Sequence, residues 1–220
     1  MTLSRKIVLM LALVALPAIM CAQITVTSTG ARPTIKDFAR AYCSQYESGS
    51  FEREALAAVL KGNFTKGKVT STVDVDNGFI CYVNDEECLE MCYWNCDNKN
   101  EKIIAVNRIS SVMGFDETIL SFYRYNAKTK KMRQINAPFD RIPQPADMLN
   151  RSEASKQEIA MVTGARNEDA SRFMPAYFLP RVGKDITFGF ADNTAISSHA
   201  QRKGAMIWNG NGFNIYLPEY

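Results

Sequence analysis

Near residue 67 the hydrophobic period of this chain changes from about 3.6 to about 2, and that switch constrains the fold more than any other feature. Upstream, Pro33-Thr34 supplies a break and an N-cap, and Ile35, Phe38, Ala39, Tyr42 and Tyr46 recur at helical spacing. Glu47-Ser48-Gly49 then interrupts. Ser50 caps a second helix carrying Phe51, Leu56, Val59 and Leu60, and Lys61-Gly62 closes it with a cation and a glycine. Residues 34–61 read as a helical hairpin.

Downstream, Val69, Ser71, Val73 and Val75 alternate with polar residues, Asp76-Asn77-Gly78 supplies turn chemistry, and Phe79–Val83 returns as a second strand. Met91–Asn95 leads through Asp97-Asn98-Lys99-Asn100 into Lys102–Val106, and Ile119–Tyr125 leads through Asn126–Thr129 into Met132–Ile135. Asp185–Phe190 reads as a further strand, and Ala205–Trp208 turns at Asn209-Gly210-Asn211-Gly212 into Phe213–Tyr216. Residues 136–183, punctuated by prolines, carry one weak helical signal over Ser152–Val162. The predicted fold is α+β: an N-terminal helical hairpin packed on an antiparallel, hairpin-rich β-sheet, strand-dominated from about residue 67 and closed by the Trp208 hairpin. At 220 residues and 46% hydrophobic content the chain can bury a sizeable core, and no low-complexity linker divides it, so residues 23–220 are expected to form one domain.

Residues 1–22 read as a signal peptide. Arg5 and Lys6 form a positive start, Ile7–Leu16 is an unbroken apolar run, and Pro17 breaks it shortly before Ala22. The run covers about ten residues where a membrane-spanning helix takes roughly 20, and none of similar length follows, so no transmembrane span is expected in the mature chain. Cleavage after Ala22 is preferred to lipidation of Cys21, because Met20 is a poor neighbour for a lipoprotein cysteine. Losing the leader removes Arg5, Lys6 and no acid, leaving 24 basic against 23 acidic side chains. That near balance argues against nucleic acid as a partner.

Cys43, Cys81, Cys88, Cys92 and Cys96 remain, and in an exported chain all five are disulfide candidates, with an odd one left over. On an extended 88–96 segment, Cys88, Cys92 and Cys96 share a face with Glu90 and Trp94. Residues four apart on a strand lie about 13 Å apart, too far to bridge one another. The same spacing, with no second knuckle and one distant histidine, does not make a zinc site. No metal or cofactor is expected: a phosphate-binding glycine loop, a dinucleotide fingerprint and a His-Glu-x-x-His motif are all missing from the sequence.

No catalytic residue stands out. A hydrolase would rely on His199, the sole histidine, or on a carboxylate pair that sequence alone does not reveal. Lys128-Thr129-Lys130-Lys131-Met132-Arg133 spans a hairpin turn, where lysines keep an edge soluble or, alternatively, form a nucleic-acid or glycan patch. Trp94 and Trp208 are the candidate binding aromatics, weighed against packing in the core.

The Cys21-Ala22-Gln23 junction and the strings Glu90-Met91-Cys92-Tyr93-Trp94-Asn95 and Trp208-Asn209-Gly210 resemble those of small uncharacterised exported proteins of Gram-negative anaerobes. The resemblance implies a periplasmic or outer-surface location and carries no site residue. The expected function is non-catalytic binding of another envelope protein or a glycan. A small periplasmic hydrolase and a structural envelope component are the alternatives.

Overall fold

A computed structural model describes residues 23–112, 115–165, 172–192 and 194–218. The expected signal peptide, with Cys21, lies outside the described residues. The elements are β1 (Ile24–Thr25), α1 (Ile35–Cys43), α2 (Phe51–Lys61), β2 (Phe64–Lys66), β3 (Val69–Asp74), β4 (Phe79–Val83), β5 (Glu87–Asn95), β6 (Glu101–Val112), β7 (Phe115–Asn126) and β8 (Lys131–Ile135). A 3-10 turn (Pro145–Met148), α3 (Lys156–Gly164), β9 (Pro175–Phe178), β10 (Ile186–Phe190), β11 (Gly204–Trp208) and β12 (Phe213–Tyr216) follow. The fold is α+β and strand-dominated. Among the described residues no helix is long and apolar enough to cross a membrane.

The strands form two antiparallel sheets where a single one was expected. The larger has the order β1-β8-β7-β6-β5-β4-β3-β2, a meander to which β1 adds the outer edge; the smaller has the order β12-β11-β10-β9. The Trp208 hairpin belongs to the smaller sheet, which stacks on the larger one. The cause is visible along β4–β7, where both faces are apolar. Ile80, Tyr82, Leu89, Met91, Ile104, Val106, Tyr123 and Tyr125 pack toward α1 and α2. Phe79, Cys92, Trp94, Ile103, Ala105 and Phe122 pack toward the small sheet's Ile186, Phe188, Met206 and Phe213. A strand apolar on both faces needs a covering layer on each.

Local chemistry sets the element ends. In α2 the Ser50 hydroxyl accepts from the Arg53 N–H at 3.3 Å. Gly78 takes a left-handed φ of 67° in the turn between β3 and β4, and the Asp74 carboxylate accepts from the Asn77 N–H at 3.1 Å. In the first turn of α1, the Asp37 carboxylate is 1% exposed and accepts from five donors. These are the Thr34 N–H (2.9 Å), the Thr34 hydroxyl (3.1 Å), the Thr29 N–H (3.3 Å), the Thr29 hydroxyl (3.2 Å) and the Arg40 guanidinium (3.0 Å). One buried carboxylate thereby pins the 29–34 loop to the helix.

Polar contacts lock the sheets together. Trp94 Nε1–H donates to the Lys184 carbonyl at 2.8 Å, Asn107 Nδ2 to the Tyr177 carbonyl at 2.8 Å, and the Asp97 N–H to the Gly210 carbonyl at 3.0 Å. On the opposite face Arg108 of β6 donates to Glu52 of α2 at 3.1 Å and also pairs with Glu87.

Candidate functional site: a cationic cleft at the end of the large sheet

Three separate stretches of chain meet at one end of the large sheet. They are the 25–33 segment before α1, the 95–102 segment joining β5 to β6, and the 125–130 segment joining β7 to β8. Between them lies a cleft of about 800 Å³. Its floor is set by ladder pairing: Asn95 lies opposite Lys102, and Lys102 opposite Tyr125. Backbone bonds knit the rim, with the Val26 N–H on the Lys130 carbonyl at 2.9 Å and the Ala127 N–H on the Asn100 carbonyl at 2.7 Å. The far wall is the loop that Asp37 holds.

Arg32, Lys99, Lys102 and Lys130 line the cleft, and among the described residues no carboxylate does. None of these four cations makes a salt bridge among the described residues. Hydroxyl and amide groups of Thr25, Thr27, Ser28, Asn95 and Asn100 fill the spaces between them. Lys102 is half-buried. Its ammonium donates to Asn95 Oδ1 and lies 4.3 Å from the Tyr93 ring centroid. Burial and the neighbouring Arg32 charge both lower its pKa, so Lys102 carries its proton at a cost that an anion would offset. Lys130 holds φ at 55°, the one non-glycine residue with positive φ among those described, and so directs its side chain from a strained turn at the rim. Such a lining offers charge-assisted donors to an anion and hydrogen-bonding partners to hydroxyl groups.

The aromatic candidates sit elsewhere. Trp94 is 4% exposed in the seam between the sheets, stacked on Trp208 at 5.8 Å and 24° and met edge-on by Phe213 at 4.9 Å. Its one polar atom is used by Lys184. Trp208 is half-buried beside it, so any ligand contact from this pair falls to the rim of Trp208.

Among the described residues the five cysteines form no disulfide. Cys43 is buried under the helices, where burial pushes its thiol up to about 12. Cys92 and Cys96 are buried on the β5 face that the alternation predicts, and Cys96 also lines the cleft. Cys81 and Cys88 do come together, with Sγ atoms 3.7 Å apart beside Glu90.

His199 is exposed, with Nε2 3.2 Å from the Ser197 hydroxyl. That hydroxyl donates to Glu158 Oε1 at 2.5 Å, and the Ser197 N–H donates to the same oxygen at 2.8 Å. The carboxylate thus sits on the serine rather than on the imidazole, and the order of a nucleophile–base–orienter relay is not formed.

Sequence reasoning missed the cleft because its cations are spread over a hundred residues. The basic string at 128–133 was its one visible trace. Within that string Lys130 lines the cleft, while Lys131 and Arg133 line an adjoining hollow of about 320 Å³ with Glu101 and Arg124. Comparison with protein families, curated proteins and solved structures finds no match for this chain, so the reading of the site rests on its own residues.

Proposed function

We propose that this is an exported, non-catalytic binding protein whose cleft takes a segment of an acidic glycan. The observation that carries the reading is the pairing of four unneutralised cations with a carboxylate-free, hydroxyl- and amide-rich lining in a space of about 800 Å³. That volume falls in the range of small-molecule and oligosaccharide sites. Charge gives the preference for an acid, and the amides and hydroxyls give directional partners for sugar hydroxyls. The near-neutral balance of the chain past residue 22 suits a local acidic ligand better than a polyanion engaged over a whole surface.

The test is calorimetric titration with an oligogalacturonide, set against the same oligosaccharide after its carboxyl groups are reduced. Binding is expected for the acid alone, weakening as salt rises. Lys102→Gln should weaken it roughly 10- to 100-fold, the worth of one charge-assisted hydrogen bond of about 1.5–3 kcal/mol. Equal binding of acidic and reduced forms, or no effect of Lys102→Gln, refutes the reading. Shortened oligosaccharide in the recovered mixture would favour a hydrolase, and absence of binding a structural envelope role.

A further inference from the structure

We propose that Cys81, Cys88 and Glu90 form a binding site for a thiophilic divalent cation of the zinc type, at the seam between the two sheets. The site is separate from the cleft and does not depend on its function.

The β4–β5 ladder places Cys81 opposite Glu90 and Val83 opposite Cys88. Cys81 is therefore directly across from the carboxylate and diagonal to the second thiol, and all three side chains emerge on the face toward the small sheet. One donor atom from each residue lies within 4.8 Å of the others. Two Zn–S bonds of about 2.3 Å at a tetrahedral angle hold their sulfurs roughly 3.75 Å apart, and Cys81 Sγ and Cys88 Sγ are 3.7 Å apart. A disulfide requires about 2.05 Å. Two unbonded thiols in contact would show a similar spacing, so the sulfurs alone do not decide the matter.

The carboxylate and its supports add a second, independent observation. Glu90 Oε2 accepts from Asn107 Nδ2 at 3.2 Å and from the Leu179 N–H at 3.3 Å. Glu90 makes no ion pair, and its Oε1 has no hydrogen-bond partner among the described residues. Asn107 is 0% exposed and fixed by a second bond to the Tyr177 carbonyl at 2.8 Å, while its own Oδ1 has no partner among the described residues. With Oε2 held by two donors and Oε1 left without a protein partner among the described residues, Glu90 has the outer-shell support that orients a metal-binding carboxylate. Two sulfurs and one oxygen leave a fourth tetrahedral position for water. Binding requires both thiols as thiolates, so each gives up its proton to solvent as the cation enters. The bound cation would fasten the β4–β5 hairpin to the Tyr177–Leu179 segment of the small sheet.

The test uses the whole mature chain, reduced and handled without oxygen, titrated with Co²⁺ as a spectroscopic stand-in and then with Zn²⁺. One equivalent of Co²⁺ should produce thiolate-to-cobalt charge-transfer absorption and the intense visible bands of a tetrahedral site, and Zn²⁺ should displace it. Cys81→Ser and Cys88→Ser should each abolish the charge-transfer band at that stoichiometry. Glu90→Gln should weaken binding roughly 10- to 100-fold, as should Asn107→Leu acting through it. Cys43→Ser and Cys92→Ser should leave the spectrum unchanged, and far-ultraviolet circular dichroism checks that each variant is folded. The proposal is overturned if the wild type gives no such band, or if the band survives loss of both Cys81 and Cys88. It is equally overturned if peptide mapping of protein prepared with Zn²⁺ present finds residues 81 and 88 joined as a disulfide.

Discussion

The stacking of the small sheet on the large one depends on a glycine with no room for a side chain. Gly204 of β11 lies directly across from Phe188 of β10, and the Phe188 ring lies over it, 1% exposed in the inter-sheet core. A Cβ at position 204 would meet Phe188 Cζ at 2.1 Å and both Cε atoms at 2.6 Å. Ordinary contact begins at 3.4 Å, so the ring must retreat by more than 1 Å into residues that already fill the seam. Overpacking of this kind costs about 1–3 kcal/mol, and the closeness of the contact puts Gly204→Ala near 3. At about 2–4 °C per kcal/mol for a domain of this size, its melting temperature should fall by about 6–12 °C. Gly189→Ala, one residue beyond Phe188 on the same strand, is the matched control. Its nearest neighbour, Lys203 Cγ, is 4.0 Å away, and the change should be neutral or stabilising by up to about 1 kcal/mol. Thermal unfolding followed by near-ultraviolet circular dichroism, which reads the Trp94–Trp208 stack, separates the two. If both variants melt with the wild type, the ring does not lie over Gly204 and the inter-sheet packing described here is wrong.

Asp37→Asn should destabilise the protein by about 1–3 kcal/mol at neutral pH, because a buried, five-donor acceptor loses its charge. Burial pushes the Asp37 carboxyl up, but the hydrogen bonds from Thr34 and Thr29 outweigh it and leave it below its ordinary value. The stabilisation is therefore complete above about pH 4 and is lost as pH falls through the lowered folded-state value, so urea unfolding should show the gap between wild type and variant closing in acid. Hydrogen bonds from Ser197, and then from Ser155, hold the Glu158 carboxyl down at about 2. The contact between α3 and the 197 loop should persist below pH 4.5 and loosen only as pH approaches 2, read by hydrogen exchange at Ser155 and Ser197. Trp94→Phe keeps the ring in the seam but strands the Lys184 carbonyl, and should cost about 1–2 kcal/mol in denaturant unfolding; Trp94→Ala should cost about 3–5.

The sequence was most readable where one local rule governed. Asp76-Asn77-Gly78 demanded a turn, and the Phe79–Val83 strand follows it residue for residue. Alternation along β5 correctly put Cys92, Trp94 and Cys96 on one face, since a strand's period leaves no other choice. Two helices with capping residues appeared where Thr34 and Ser50 place them. What escaped was non-local. Strand β9 is four residues beginning at a proline, and it exists because β10 pairs with it. The second sheet could not be told from an extension of the first, because hairpin signals fix neighbours and not layers. The apolar residues on both faces of β5 and β6 were the available clue that a third layer exists. In the cleft, Arg32, Lys102 and Lys130 are brought together by β1 pairing with β8 and by the reach of the 25–33 loop, contacts that no spacing rule encodes.

Anion capture by the cleft makes one prediction that nothing else in the fold shares. With lysine-labelled protein, the titration midpoint of the Lys102 ammonium should begin below its ordinary range, because burial and Arg32 hold it there. It should rise when an oligogalacturonide is added and stay put when the carboxyl-reduced sugar is added instead. A midpoint that does not move, or that shifts no more than those of lysines remote from the cleft, contradicts anion binding at this site.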